Sequence, residues 1–234
     1  ANRDEFYARP TDAAGYWSQH PQLLAGRDLE AGGTWLGVTR SGRIAAITNY
    51  REGERSDAVH SRGRLTLDYL LSRDTPGEYL EQVRGRAQEY AGFNLLVGDP
   101  LDLHYFGNRS GPAEKLEGGI YALGNGTLHD DWHKMHRGKE ALANAIAGAI
   151  DAEGLLGLMR DETRPEDDRL PDTGVGLELE RLLSARFIRA EHYGTRATTV
   201  LLIDRQGNLE FLEQNYTVQG MEGAPRRFQF RVEA

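Results

Sequence analysis

The apolar and polar positions fall into a few patterned stretches separated by clear breaks. Residues 34–39 and 43–50 are rich in apolar and β-branched side chains and flank Ser41-Gly42, which predicts a β-hairpin turning at glycine. Leu65, Tyr69 and Leu70 then share one helical face. Thr75-Pro76-Gly77-Glu78 opens a second helix, because Thr75 can cap, proline suits the first helical position and Glu78 completes a capping box. Residues 93–97 and 101–106 read as two strands joined by Gly98-Asp99-Pro100. A further strand is expected over 118–123, ending at Gly124-Asn125-Gly126. The longest helical pattern covers 131–150, with Leu142, Ile146 and Ile150 at a spacing of four. Residues 161–174 are charged and broken by proline, as a surface loop would be. The pattern returns to β over 198–203 and 209–217, a hairpin about Arg205-Gln206-Gly207-Asn208, and over 228–232, an alternating edge strand. Residues 1–32 show no period; Pro10, Pro21 and Gly26 interrupt them and Phe6, Tyr7, Tyr16 and Trp17 are scattered, so irregular structure is expected there.

Strands, two helices, strands, one or two helices and strands again is the order of an α+β fold with antiparallel sheets, since parallel sheets need strand and helix to alternate. The length of 234 residues and the lack of any repeat or low-complexity linker favour a single domain over 1–234. Composition narrows the function classes. With 28 Lys+Arg against 36 Asp+Glu and a net charge of -8, the chain lacks the basic excess that sequence-independent nucleic-acid binding requires. The longest purely apolar run is Val200-Leu201-Leu202-Ile203, far short of a membrane span. The opening Ala1-Asn2-Arg3-Asp4-Glu5 has no apolar signal core, so a cytoplasmic protein is expected. No cysteine is present, which removes disulfides, thiolate zinc sites and any thiol nucleophile within these residues.

Generic motifs are few. Phosphate-binding glycine loops, a nucleophile elbow and a paired-histidine zinc helix are all missing from the sequence. His129, His133 and His136 would share one face if the segment were helical, and three imidazoles there would suit zinc or offer an axial ligand to haem. The plainer reading is a polar helix start with Asp130 and Asp131 set against the helix dipole. Acidic clusters at Asp161-Glu162 and Glu166-Asp167-Asp168 lack the spacing of a calcium loop and read as solvated chain.

One resemblance runs through the whole chain. Asn2-Arg3-Asp4-Glu5 with Arg9-Pro10, Gly32-Gly33-Thr34-Trp35-Leu36-Gly37, Thr48-Asn49-Tyr50-Arg51 and Ser61-Arg62-Gly63 come first, followed by Phe93-Asn94-Leu95. Gly124-Asn125-Gly126 with Trp132 and Lys134, Ser184-Ala185-Arg186-Phe187-Ile188 and Tyr193-Gly194-Thr195-Arg196 complete the set. In this order the blocks resemble the NRDE family, also called the transport and Golgi organisation protein two family. That family is similar to N-terminal-nucleophile hydrolases of the choloylglycine hydrolase and acid amidase branch. The resemblance implies a four-layer αββα sandwich, two antiparallel sheets between helical layers. It also implies a cysteine nucleophile on a Met-Cys strand one turn before the NRDE block, where the present residues begin, with its own α-amino group as base. On that pattern Asp4 orients the amine, Asn49 and Asn125 lie at the oxyanion and Arg186 completes the catalytic set. Asn2, Arg3, Trp35 and Arg196 are binding residues on the same pattern. The implied activity is hydrolysis of a linear or acyl amide, with a small-molecule substrate or ligand as partner and no cofactor. The alternative is a non-catalytic carrier of haem, lipid or acyl-CoA on the same fold, ligands to which members of the family have been linked.

Read without the resemblance, the same residues have plainer roles. Asn49 is a turn former at a strand end, and Asn125, between two glycines, a positive-φ turn residue. Arg186 is then a surface ion pair and Arg196 a partner for a core carboxylate. Asn2 and Arg3 either form a local cap with Glu5 or floor a pocket, and Trp35 either packs against the sheet or lines a pocket.

Overall fold

The computed structural model describes residues 1–52 and 60–233. Among them are two antiparallel sheets and five α-helices, the α+β class that the element order predicts. The chain forms two compact units, each assembled from several segments: Ala1–Arg9, Ile120–Ala122 and His129–Arg231 in one, Pro10–Gly119, Leu123–Leu128 and Val232–Ala234 in the other.

The second of these units is built on a seven-stranded sheet. Its strands are β2 (Thr11–Trp17), β3 (His20–Asp28), β4 (Leu36–Thr39), β5 (Ile44–Asn49), β6 (Phe93–Gly98), β7 (Leu103–Gly107) and β8 (Glu114–Lys115), lying side by side in that order. The β4–β5 hairpin turns where expected, at Gly42 with φ +84°. The β6–β7 turn is closed by Asp99, whose carboxylate accepts the Leu101 and Asp102 amides at 2.8 and 3.0 Å, so β7 starts two residues later than its apolar pattern does. Two helices cover this sheet. α1 (Gly63–Leu71) buries Leu65, Tyr69 and Leu70 on the predicted face. α2 (Pro76–Gly85) starts in the predicted capping box, with the Glu78 amide donating to Thr75 and the Glu78 carboxylate accepting from the Thr75 amide at 2.9 Å. The core between helices and strands holds Leu23, Leu65, Tyr79, Val83, Phe93 and Leu95, nearly all without exposed surface.

The first unit is built on four antiparallel strands in the order β1 (Asn2–Phe6), β9 (Tyr193–Ile203), β10 (Asn208–Thr217) and β11 (Gly220–Arg231). The β9–β10 turn contains Gly207 at φ +80°, and β11 is an edge strand with Phe228 and Phe230 half-buried between exposed neighbours. α3 (His133–Ala147), α4 (Ala152–Leu158) and α5 (Leu177–Leu183) belong to the same unit. α4 packs Ala152 and Leu156 on Val200 and Leu212.

Four expectations are corrected. Residues 1–32 contain three strands, not irregular chain. The β2–β3 ladder breaks register between Asp12 and Gly15 and between Tyr16 and Trp17, which destroys the alternation a sequence pattern needs. Gly26 is a strand residue there, because a Cβ at that position would lie 2.3 Å from the Trp35 ring. No strand forms over 118–123: the chain leaves the two-residue β8 and runs irregularly, with Ile120 and Tyr121 exposed. α3 ends at Ala147, before Ile150, and Met135 is its only buried residue. Asn125 has no positive φ, since every positive-φ residue among those described is a glycine.

Candidate functional site

The first unit gathers Asn2, Arg3, Asp4, Arg186 and Arg196 around the β1–β9 pair. Asn2 faces Thr198 and Arg3 faces Ala197, but Asp4 faces Thr195, so Arg196 is an extra residue in β9. The bulge sends the Arg196 side chain to the chain leaving β1, where Nη1 donates to the carbonyls of Phe6, Tyr7 and Arg9 at 3.0, 3.0 and 3.2 Å. Asn2 is equally committed. Its Nδ2 donates to the carbonyls of Met159 and Arg186 at 2.9 and 2.6 Å, and its Oδ1 accepts the Thr198 hydroxyl at 2.7 Å. Arg3 is buried, 9% exposed. The Thr195 hydroxyl donates to Asp4 Oδ1 at 2.6 Å and accepts the Ile188 amide at 2.9 Å. The Asn2 and Asp4 side chains of β1 are thereby tied to the segment 186–188.

Arg186 pairs with Asp161, Nη2 to Oδ2 at 2.6 Å, with side-chain exposures of 11% and 18%. Arg137 from α3 shares the same carboxylate oxygen at 3.1 Å. The Arg186 guanidinium lies against the α3 backbone at Gly138, where a Cβ would sit 3.2 Å from Nη1. Burial pushes the Asp161 carboxyl up, but the hydrogen bonds from Thr163, the charge of Arg186 and the hydrogen bond from Arg137 outweigh it and hold the group at about 2. Asp161 thus fixes an arginine that the sequence points to, although Asp161 itself reads only as part of an acidic loop. No local signal marks it, because its partner is 25 positions away.

The second unit holds Asn49, Asn125 and Trp35. Asn125 Nδ2 donates to the Asn49 carbonyl at 3.0 Å, and the Arg51 amide returns a bond to the Asn125 carbonyl at 2.6 Å, so the two asparagines are neighbours. Their loop is clamped by Asn94 on β6, 1% exposed, a residue the sequence marks only within a motif block. Asn94 Nδ2 donates to the Gly126 carbonyl at 2.7 Å and to the Thr48 hydroxyl at 3.1 Å, while its Oδ1 accepts the Tyr105 hydroxyl at 2.7 Å. Thr48 in turn donates to the Gly124 carbonyl at 2.5 Å. The Trp35 ring lies over Gly26.

The three-histidine face is not formed. α3 begins at His133 behind an extended Trp132, which leaves His129 outside the helix, and His136 pairs with Glu140 at 3.6 Å. Among the described residues no three His, Asp or Glu side chains are grouped to hold a metal ion. No helix among them is long and apolar enough to cross a membrane.

Two antiparallel sheets with their helices define an α+β protein, with candidate site residues held in polar networks within each of its two units. The chain belongs to the Transport and Golgi organisation 2 family, whose model matches residues 1–218. It is similar to the human Transport and Golgi organization protein 2 homolog, 34% identical over 92% of this chain and 84% of that protein. The Drosophila melanogaster Transport and Golgi organization protein 2 is 29% identical over 93% of this chain and 85% of its own length. Among solved structures, a mutant conjugated bile acid hydrolase from Clostridium perfringens covers 89% of this chain and 81% of its own, at 10% identity and a TM-score of 0.46.

Proposed function

We propose that the protein is an amidohydrolase of the N-terminal-nucleophile type, acting on a linear or acyl amide. The observation that supports this reading best is the shared anchorage of Asp4 and Arg186. Asp4 reaches the Ile188 amide through Thr195, and the Arg186 carbonyl is held by Asn2 on the same strand. A carboxylate anchored to the backbone segment that carries Arg186 suits a reaction in which an amine must be oriented.

The chemistry is amide plus water giving acid plus amine. The nucleophile adds to the carbonyl carbon, the carbon–nitrogen bond breaks and the amine leaves with the nucleophile's proton. Water then releases the acid. With no cysteine in the sequence, the reading requires a nucleophile N-terminal to Ala1, where the family's Met-Cys strand lies. The test is acylation of protein carrying that cysteine by an alkyne-tagged β-lactone, read by mass spectrometry over about pH 6–9. A single adduct on the cysteine, lost in Asp4→Asn, is expected; no adduct at any pH overturns the reading.

A second reading, a carrier of lipid or acyl-CoA, has one observation in its favour. α3 and α4 enclose an open groove of about 270 Å³ lined by Ala141, Ala145, Ala149, Ile150, Leu155 and Leu158. A saturable gain in fluorescence of an added pyrene-labelled fatty acid, abolished by Ala145→Glu, is its expected result. An unchanged signal in the variant removes it. The haem form of this reading has no three-histidine face to support it.

A further inference from the structure

We infer that Thr195 is the positioning residue for Asp4, holding its carboxylate in the orientation the reaction uses; the inference rests on the hydrolase reading above. It begins in the ladder. Continuing the register of Asn2↔Thr198 and Arg3↔Ala197 without a break would set Asp4 opposite Arg196, yet the residue opposite is Thr195. The single extra residue in β9 therefore exchanges a guanidinium for a neutral hydroxyl at the position facing Asp4.

That exchange has chemical weight. A guanidinium directly opposite would form a forked ion pair and compete with an amine for the carboxylate oxygens. Arg196 is instead occupied by three backbone carbonyls. The hydroxyl that replaces it is itself immobile. Thr195 is 1% exposed, gives its one proton to Asp4 Oδ1 at 2.6 Å and receives the Ile188 amide at 2.9 Å. The Thr195 amide also donates to the Ile188 carbonyl at 2.8 Å, so the residue is fixed to the segment 186–188 through backbone and side chain together. Rotating the hydroxyl away would break two hydrogen bonds in a buried site. Thr195 thus acts through Asp4 and has no part in bond making.

The test uses protein carrying the N-terminal cysteine and the same alkyne-tagged β-lactone. Thr195→Val removes the hydroxyl and keeps the shape, Thr195→Ser keeps the hydroxyl, and Thr195→Ala replaces the valine variant if that one does not fold. Acylation rates are read across pH with thermal midpoints alongside. The expected result is labelling about 10- to 100-fold slower in Thr195→Val, with a changed pH profile, and a rate near the parent's in Thr195→Ser. Parent-like rate and pH profile in folded Thr195→Val overturn the inference. If Asp4→Asn also labels like the parent, the hydrolase reading has failed as well; if Asp4→Asn is slow while Thr195→Val is not, the role of Thr195 alone has failed.

Discussion

Arg186 is bound to Asp161 by one hydrogen bond of 2.6 Å, and that carboxylate also takes Arg137. Two cations around one carboxylate make Asp161 the keystone of the cluster. Replacing it by asparagine leaves Arg186, 11% exposed at its side chain, without its counter-charge. The expected cost is about 3 kcal/mol, since breaking one side of a buried pair strands the other. Chemical denaturation of Asp161→Asn against the parent measures it.

The same carboxyl gives a pH dependence with a definite sign. It sits at about 2 in the folded protein against 3.8 ordinarily. A depressed carboxyl contributes stability that is complete above its unfolded value and lost as pH falls through the folded one. Thermal midpoints of the parent should therefore carry a component that disappears between pH 3.8 and about 2. Asp161→Asn should lack that component, and equal slopes in both proteins would refute the assignment.

Asn94→Leu probes the other unit. It removes two donors and one acceptor from a site 1% exposed, and leaves the Gly126 carbonyl and the Tyr105 hydroxyl to find new partners. A loss of about 2–3 kcal/mol is expected. Faster amide exchange should be confined to residues 124–128, the loop carrying Asn125. Unchanged exchange there would show that the loop is held by other contacts.

Two glycines make a paired prediction. A Cβ at Gly33 would lie 2.5 Å from the backbone of Gly63, and backbone cannot step aside as a side-chain tip can. Gly33→Ala should cost about 2 kcal/mol or more. Gly77, in the first turn of α2, has open space around its Cβ position, so Gly77→Ala should stabilise by about 0.5–1 kcal/mol through the unfolded chain. Denaturant midpoints of the two variants should move in opposite directions.

What the sequence disclosed follows the reach of each signal. The Thr75–Glu78 box, the Gly42 turn and the Leu65–Tyr69–Leu70 face depend on residues within a few positions of one another, and each stands where its pattern puts it. Strands β2 and β3 escaped because their shared ladder changes register, so alternation fails even though pairing is good. The spacing of Leu142, Ile146 and Ile150 runs past the end of α3 at Ala147, because spacing records which residues share a face and not where a helix stops. Motif blocks single out Asp4 and Arg186 in one unit, and Asn49 and Asn125 in the other, as candidates. Their partners Thr195 and Asp161 follow only from contacts spanning 191 and 25 positions, which no local pattern records.

The pairing of β1 with β9 also bears on how the protein is made. Asn2 is matched to Thr198 across nearly the whole chain, and β9 is in turn flanked by β10. A ribosome-bound chain can assemble the seven-stranded sheet from contiguous neighbours. The four-stranded sheet must wait, with Asn2 and Asp4 already synthesised and unpaired, until the last third emerges. High contact order of this kind slows folding and lengthens the time a strand edge stands open to other chains. The strand bearing Asp4 is therefore the segment that most needs a chaperone's cover during synthesis.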